Sequence, residues 1–138
     1  GQYRNVYAHG EFYGTATRAK FADLAEKYVA DAVYEVGTVM VVGGEEEITS
    51  STPETAHSVL GVVSDAPAFI MNNGLANGTQ VALKGRVPVQ ISGSVSKGDR
   101  LVAGDNGKAI KAADGCGEIS FAIALESGTD GTIEAVIL

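Results

Sequence analysis

The sequence predicts a mainly β fold: a small barrel or sandwich of short antiparallel strands, preceded by an N-terminal extended segment and one short helix. Three observations predict it. From Val36 onward apolar residues recur with a period of two, as they do along a half-buried strand. Turn signals separate these runs at intervals of roughly 8–12 residues, the spacing of small all-β domains. The chain also carries 18 glycines against only 3 prolines. That is roughly twice the ordinary glycine frequency of about 7%, and it suits many tight turns better than a linker.

Taken in order, residues 1–14 are rich in aromatics: Tyr3, Tyr7, Phe12 and Tyr13. A short segment with so many large apolar groups cannot make its own core. It needs burial against the body of the domain or against a symmetry mate. Residues 15–33 read as a helix, with Thr15 or Thr17 as its cap. Phe21, Leu24, Ala25 and Tyr28 follow the i, i+3, i+4, i+7 spacing of one apolar face. Asp23 and Lys27 form an i, i+4 pair with the acid first. The set Phe21, Leu24 and Tyr28 is one heptad, which suits either a short helix packed on its own domain or an oligomer seam. Residues 1–34 are therefore assigned as an oligomerising segment and 35–138 as the β-rich domain. The candidate oligomerisation residues are Tyr3, Tyr7, Phe12, Tyr13, Phe21, Leu24 and Tyr28.

In the β-rich part, 38–42 reads as a buried strand ending at Gly43-Gly44. The run Glu45-Glu46-Glu47 reads as a solvated turn. Strands are expected over 59–64 and, after Pro67, over 68–71, the latter ending in Asn72-Asn73-Gly74. Two more, 80–84 and 86–92, are separated by Gly85. In the second, Val87, Val89 and Ile91 share one face. The turn Asp105-Asn106-Gly107-Lys108 joins 100–103 to 108–112 as a hairpin. Strands over 119–125 and 132–138 close the chain, joined through 127–131. Phe69 and Phe121 read as core.

The net charge is −7. Residues 1–30 hold four basic and three acidic residues, and the remainder holds six basic and fourteen acidic ones. An acidic body repels nucleic acid and anionic lipid, so neither is an expected partner. No apolar run approaches the roughly 18 residues of a membrane span. The sequence begins at Gly1, which suits a processed product or a fragment, and shows no signal peptide.

No catalytic constellation emerges, and the expectation is a protein that is not an enzyme and uses no cofactor or metal. His9 and His57 lack ligand-like neighbours; they read as one packed near the N-terminus and one on an exposed loop. Cys116, the single cysteine, sits in a turn-like Asp114-Gly115-Cys116-Gly117 and reads as a small residue without redox chemistry. Ser94, Ser96 and Lys97 are neighbours along the chain, and such neighbours do not face one another in a strand. There is no nucleophile elbow and no phosphate-binding loop. The carboxylates are many, but none is set apart as an acid–base pair.

Several segments nevertheless resemble something known. Gln2-Tyr3-Arg4-Asn5-Val6-Tyr7-Ala8 resembles a segment found in many bacteriophage tail-fibre proteins after their repetitive shaft. Phe12-Tyr13-Gly14-Thr15-Ala16-Thr17 and Ala22-Asp23-Leu24-Ala25-Glu26-Lys27-Tyr28 are similar to the stretch that comes next in those proteins. Gly61-Val62-Val63-Ser64, Met71-Asn72, Gly85-Arg86-Val87-Pro88-Val89 and Lys97-Gly98-Asp99-Arg100-Leu101-Val102 resemble a C-terminal domain of phage virion structural proteins. The resemblance spans nearly the whole chain, and its strength lies in the order of the segments. It implies a virion structural protein, homotrimeric, located in the tail fibre. The implied partners are other tail-fibre or baseplate proteins and a host surface glycan. It also implies an alternative: an intramolecular chaperone released by autoproteolysis after the fibre has trimerised. No catalytic residue of such self-cleaving modules has a matching position here.

Overall fold

A computed structural model describes residues 7, 9–11, 13, 14, 22–113 and 119–138. Among the described residues there are ten strands: β1 (Asp23–Tyr28), β2 (Val39–Val42), β3 (Ile48–Ser50), β4 (Val59–Val63), β5 (Phe69–Met71), β6 (Thr79–Val95), β7 (Arg100–Ala103), β8 (Ala109–Lys111), β9 (Ala122–Ala124) and β10 (Gly128–Ile137). Short 3₁₀ turns, among them Pro53–Ser58 and Asp105–Gly107, interrupt them. The fold is mainly β and contains a closed five-stranded barrel with further strands attached.

The barrel follows from the pairings. β6 pairs with β8, β8 with β7, β7 with β9, β9 with β10, and β10 returns to β6. The last pairing is the longest, running from Gly128↔Val95 to Ile137↔Gly85. Val87, Val89 and Ile91 alternate into the barrel as their spacing predicts, and meet Leu101, Ile133 and Ile137 there. Ala103, Ala109, Ala122, Ala124 and Ala135 fill the remaining inward positions. A ring of five strands is narrow, so branched residues from some strands need small ones opposite.

The first half of β6 serves a second assembly. It pairs with β4 (Val62↔Ala82, Val63↔Val81) and, antiparallel, with β1. β4 continues to β2 and β2 to β3. Residues 29–31 then cross β3 through the parallel bridge Ala30↔Ile48. Ile48 N–H donates to the Val29 carbonyl at 3.2 Å, and Asp31 N–H to the Ile48 carbonyl at 3.3 Å. Since 29–31 continue β1, this contact closes a second ring. Met40, Ile48, Val63 and Val81 form its core, with Tyr28, Tyr34 and Leu83 packed against them. Their neighbours Val39, Val62 and Ala82 point the other way, into the first core.

Gly85 marks the changeover along β6. It pairs with Asp23 on one side and Ile137 on the other. Its φ is +104°, and a Cβ there would lie 2.3 Å from the Ala22 carbonyl oxygen. Only glycine satisfies both conditions. The two expected strands 80–84 and 86–92 are thus one, because Gly85 changes the partners of β6 without ending it.

The helix expected over 15–33 is corrected where it can be seen: Asp23–Tyr28 is a strand. Residues 15–21 lie outside the described residues. Leu24 and Tyr28 are four apart, a spacing that puts residues on one face in a helix and in a strand alike. The open side of β6 decides between them, because its backbone groups need partners. The β10 strand begins at Gly128, earlier than expected, with an irregularity at Asp130 (φ +47°) inside the region read as a turn. Phe121 is buried, but Phe69 is 61% exposed and is not core. It stands on a three-residue strand at the margin of the sheet, where only one flank is covered.

Candidate interface around the first strand

Three of the segments that carry the resemblance meet at one place. Asp23 comes from 22–28, Ser64 from 61–64 and Arg86 from 85–89, and all three line a shallow cavity of about 350 Å³. Asp23 is 5% exposed. Ser64 Oγ donates to Asp23 Oδ2 at 2.5 Å. The Asp23 carbonyl accepts from Ala68 N–H at 2.8 Å, and Ser64 N–H donates to the Gln80 carbonyl at 3.0 Å. A buried carboxylate needs such a donor. The bond pins the start of β1 to the end of β4 and to the approach of β5. At the rim, Arg86 Nε stands 3.9 Å from Glu134 Oε2, with both side chains largely solvated. A pair of that kind contributes little.

Outward from this pin, β1 and β5 run parallel in the register Leu24↔Phe69, Ala25↔Ile70, Glu26↔Met71. Registered residues share a face of the sheet. Leu24 (38% exposed) and Phe69 therefore form an apolar step at the surface. Glu26 and Met71 come next on the same face. The Tyr28 hydroxyl is raised above the usual phenol range, first by burial and then by its hydrogen bond with Glu26.

The predicted oligomerisation residues divide as follows. Tyr7 and Tyr13 are 85% and 86% exposed. The Tyr13 hydroxyl donates to the Glu11 carboxylate, and this bond raises its pKa. Leu24 and Tyr28 both lie on β1, Leu24 in the surface step and Tyr28 half-buried against the second core. Tyr3, Phe12 and Phe21 lie outside the described residues, as does Cys116. Two residues that sequence reasoning missed join the site: Phe69, read as core, and the buried Asp23, read as a helical surface charge. Phe69 carried a signal. Only a few residues separate Pro67 from Asn72-Asn73-Gly74, too few for a central strand.

On the other side of the Ser64–Asp65 turn lies a wider groove of about 700 Å³, lined by Asp31, Val33, Tyr34, Asn77 and Gln80 among others. The Tyr34 hydroxyl donates to Asp31 Oδ1 at 2.5 Å. That bond, and a second from Thr49, hold the Asp31 carboxyl below the usual range.

Other residue types considered from the sequence serve turns. Ser94 Oγ lies 3.0 Å from Thr129 Oγ1, Lys97 N–H donates to Ser127 Oγ, and Ser96 N–H donates to Asp99 Oδ2. His57 is exposed, and so is His9, which was expected to be packed. Among the described residues no group of three His, Cys, Asp or Glu could hold a metal ion, and no helix is long and apolar enough to cross a membrane. Compared with known proteins, the chain matches no protein-family model and no curated protein.

Proposed function

We propose that this chain is a non-enzymatic structural domain of a bacteriophage tail fibre. It contributes to trimer assembly and to attachment to a host surface or to a partner virion protein. One observation carries the reading: the ordered series of segments that resembles phage tail-fibre proteins, three of which converge on Asp23, Ser64 and Arg86. The exposure of Leu24 and Phe69, side by side in register, supports it, because adjacent large apolar groups at a surface are characteristic of surfaces that become covered. The groove beside Tyr34 supports the attachment role. An aromatic ring flanked by Asp31, Asn77 and Gln80 offers the mixture of apolar face and hydrogen-bonding groups that a sugar requires.

Light scattering on the purified chain tests the assembly. The expected mass is three times 14.2 kDa, about 43 kDa. A folded monomer of 14.2 kDa at tens of micromolar would remove the trimer from the reading.

A further inference from the structure

Two closed rings leave few strand edges in the described part of this molecule. β3, at the end of the strand order, has its outer side crossed by residues 29–31. β5 pairs only with β1. It is the one strand among the described residues with a whole side unpaired. Ala68 N–H points to β1, where it donates to Asp23. Alternation along the strand then turns the N–H and C=O groups of Phe69 and Met71 toward the open side.

Such an edge is a template for an added strand unless it is guarded by charge, by a bulge, by cover or by brevity, and β5, at three residues, has only the last of these. No charged residue lies within β5. Instead it presents Phe69, 61% exposed, with Leu24 beside it in register.

Residues 1–21 precede β1 in the chain, and β1 is the strand with which β5 pairs. They hold Tyr3, Tyr7, Phe12, Tyr13 and Phe21, and aromatic residues are favoured in strands. Tyr7 and Tyr13 are 85% and 86% exposed. The charges are complementary. Residues 1–21 carry three basic residues (Arg4, Arg18, Lys20) and one acidic residue (Glu11), a net of +2. Residues 22–138 carry the other seven basic and sixteen acidic residues, a net of −9, which together give the chain's −7. A basic segment is drawn to an acidic body, and to a neighbour's body as readily as to its own.

We infer that residues 1–21 of one subunit add as a strand to the open edge of β5 in a neighbouring subunit. Phe69 and Leu24 are the apolar contact. Repeated around a three-fold axis, this head-to-tail exchange closes the trimer and covers the β5 edge of each subunit. The inference rests on the trimeric tail-fibre reading and names the surface that would make the trimer.

The test uses the full chain with Cys116→Ser as background. Tyr7→Cys and Phe69→Cys are introduced in separate batches, mixed, and treated with a short bis-maleimide cross-linker. The expected product is a covalent pair that joins one variant to the other. In parallel, Phe69→Lys is examined by light scattering and circular dichroism; it is expected to convert the trimer to a folded monomer. A wild-type trimer that survives Phe69→Lys and gives no Tyr7-to-Phe69 product overturns the edge and leaves the trimer standing. A wild-type monomer overturns both. A chain that carries both Tyr7→Cys and Phe69→Cys is treated in the same way; a cross-link formed only within that chain assigns the edge to its own segment and overturns the exchange. Dimers formed by Phe69→Cys alone would indicate β5 paired with β5, which also overturns it. The cross-link does not depend on the charged variant: Phe69 is exposed, so its cysteine variant disturbs no core.

Discussion

At Asp31 two hydroxyl groups, from Tyr34 and Thr49, stabilise the carboxylate and lower its pKa, while the small share of burial opposes them. The folded value lies below the unfolded one. The stabilisation is therefore present above the ordinary carboxylate range and is lost as pH falls through the lowered folded value. Because the group is exposed, its effect on stability is small and its own titration is the better readout. Tyr34→Phe removes the stronger of the two donors. Carboxyl NMR of Asp31 should then show a pKa shifted upward, toward the ordinary range; an unchanged titration would mean that Tyr34 is not its stabilising partner. None of this is legible in the sequence, because Asp31 and Thr49 meet only after 29–31 cross β3. Residue-scale reading succeeds where neighbours along the chain suffice. Glu45, Glu46 and Glu47 are exposed, as a charge run between glycines and a strand predicts. Buried Asp23 shows the limit: its partner Ser64 lies 41 residues away.

At the scale of elements, β2, β4 and the β7–β8 hairpin were legible, since each combines alternating or continuous apolar residues with a strong turn signal. Asn106, with φ +56°, makes the hairpin turn as its Asp-Asn-Gly sequence suggests. β3 was not legible, because three residues carry no periodicity. β1 was misread for a different reason. Leu24 and Tyr28 satisfy both periods, and the choice belongs to β6. The β4–β6 contact depends on one residue. A Cβ on Gly61 would lie 2.0 Å from the Ala82 carbonyl oxygen, a backbone atom that cannot swing aside. Gly61→Ala is expected to cost about 3 kcal/mol or more, as overpacking against a fixed neighbour does. Gly74→Ala meets nothing within 4 Å and should fall within about 0.5 kcal/mol of the parent. Urea unfolding of the two variants checks the contrast; similar midpoints would show that the strands can part at Gly61 at little cost.

Across the whole molecule, β6 belongs to both rings, and Val81 and Ala82, adjacent along it, enter different cores. Neither ring can open without disturbing that strand. Unfolding should therefore be a single cooperative transition. Tyrosine fluorescence, which includes Tyr28 and Tyr34 at the second core, and far-ultraviolet circular dichroism, which reports the whole sheet, should give coincident curves. Two separated midpoints would mean that the rings unfold independently. The sequence by itself determined the β class, most strand positions and the hairpin turn, because alternation and turn chemistry are local. It also determined the acidic body and the more basic leading segment, because charge needs only a count. Tertiary structure alone decided that β6 runs unbroken through Gly85, that Asp23–Tyr28 is a strand, and that Phe69 faces solvent. Each of these depends on which backbone groups already have a partner. That is settled by strands distant in sequence, once pairing among the described strands has used every edge except that of β5.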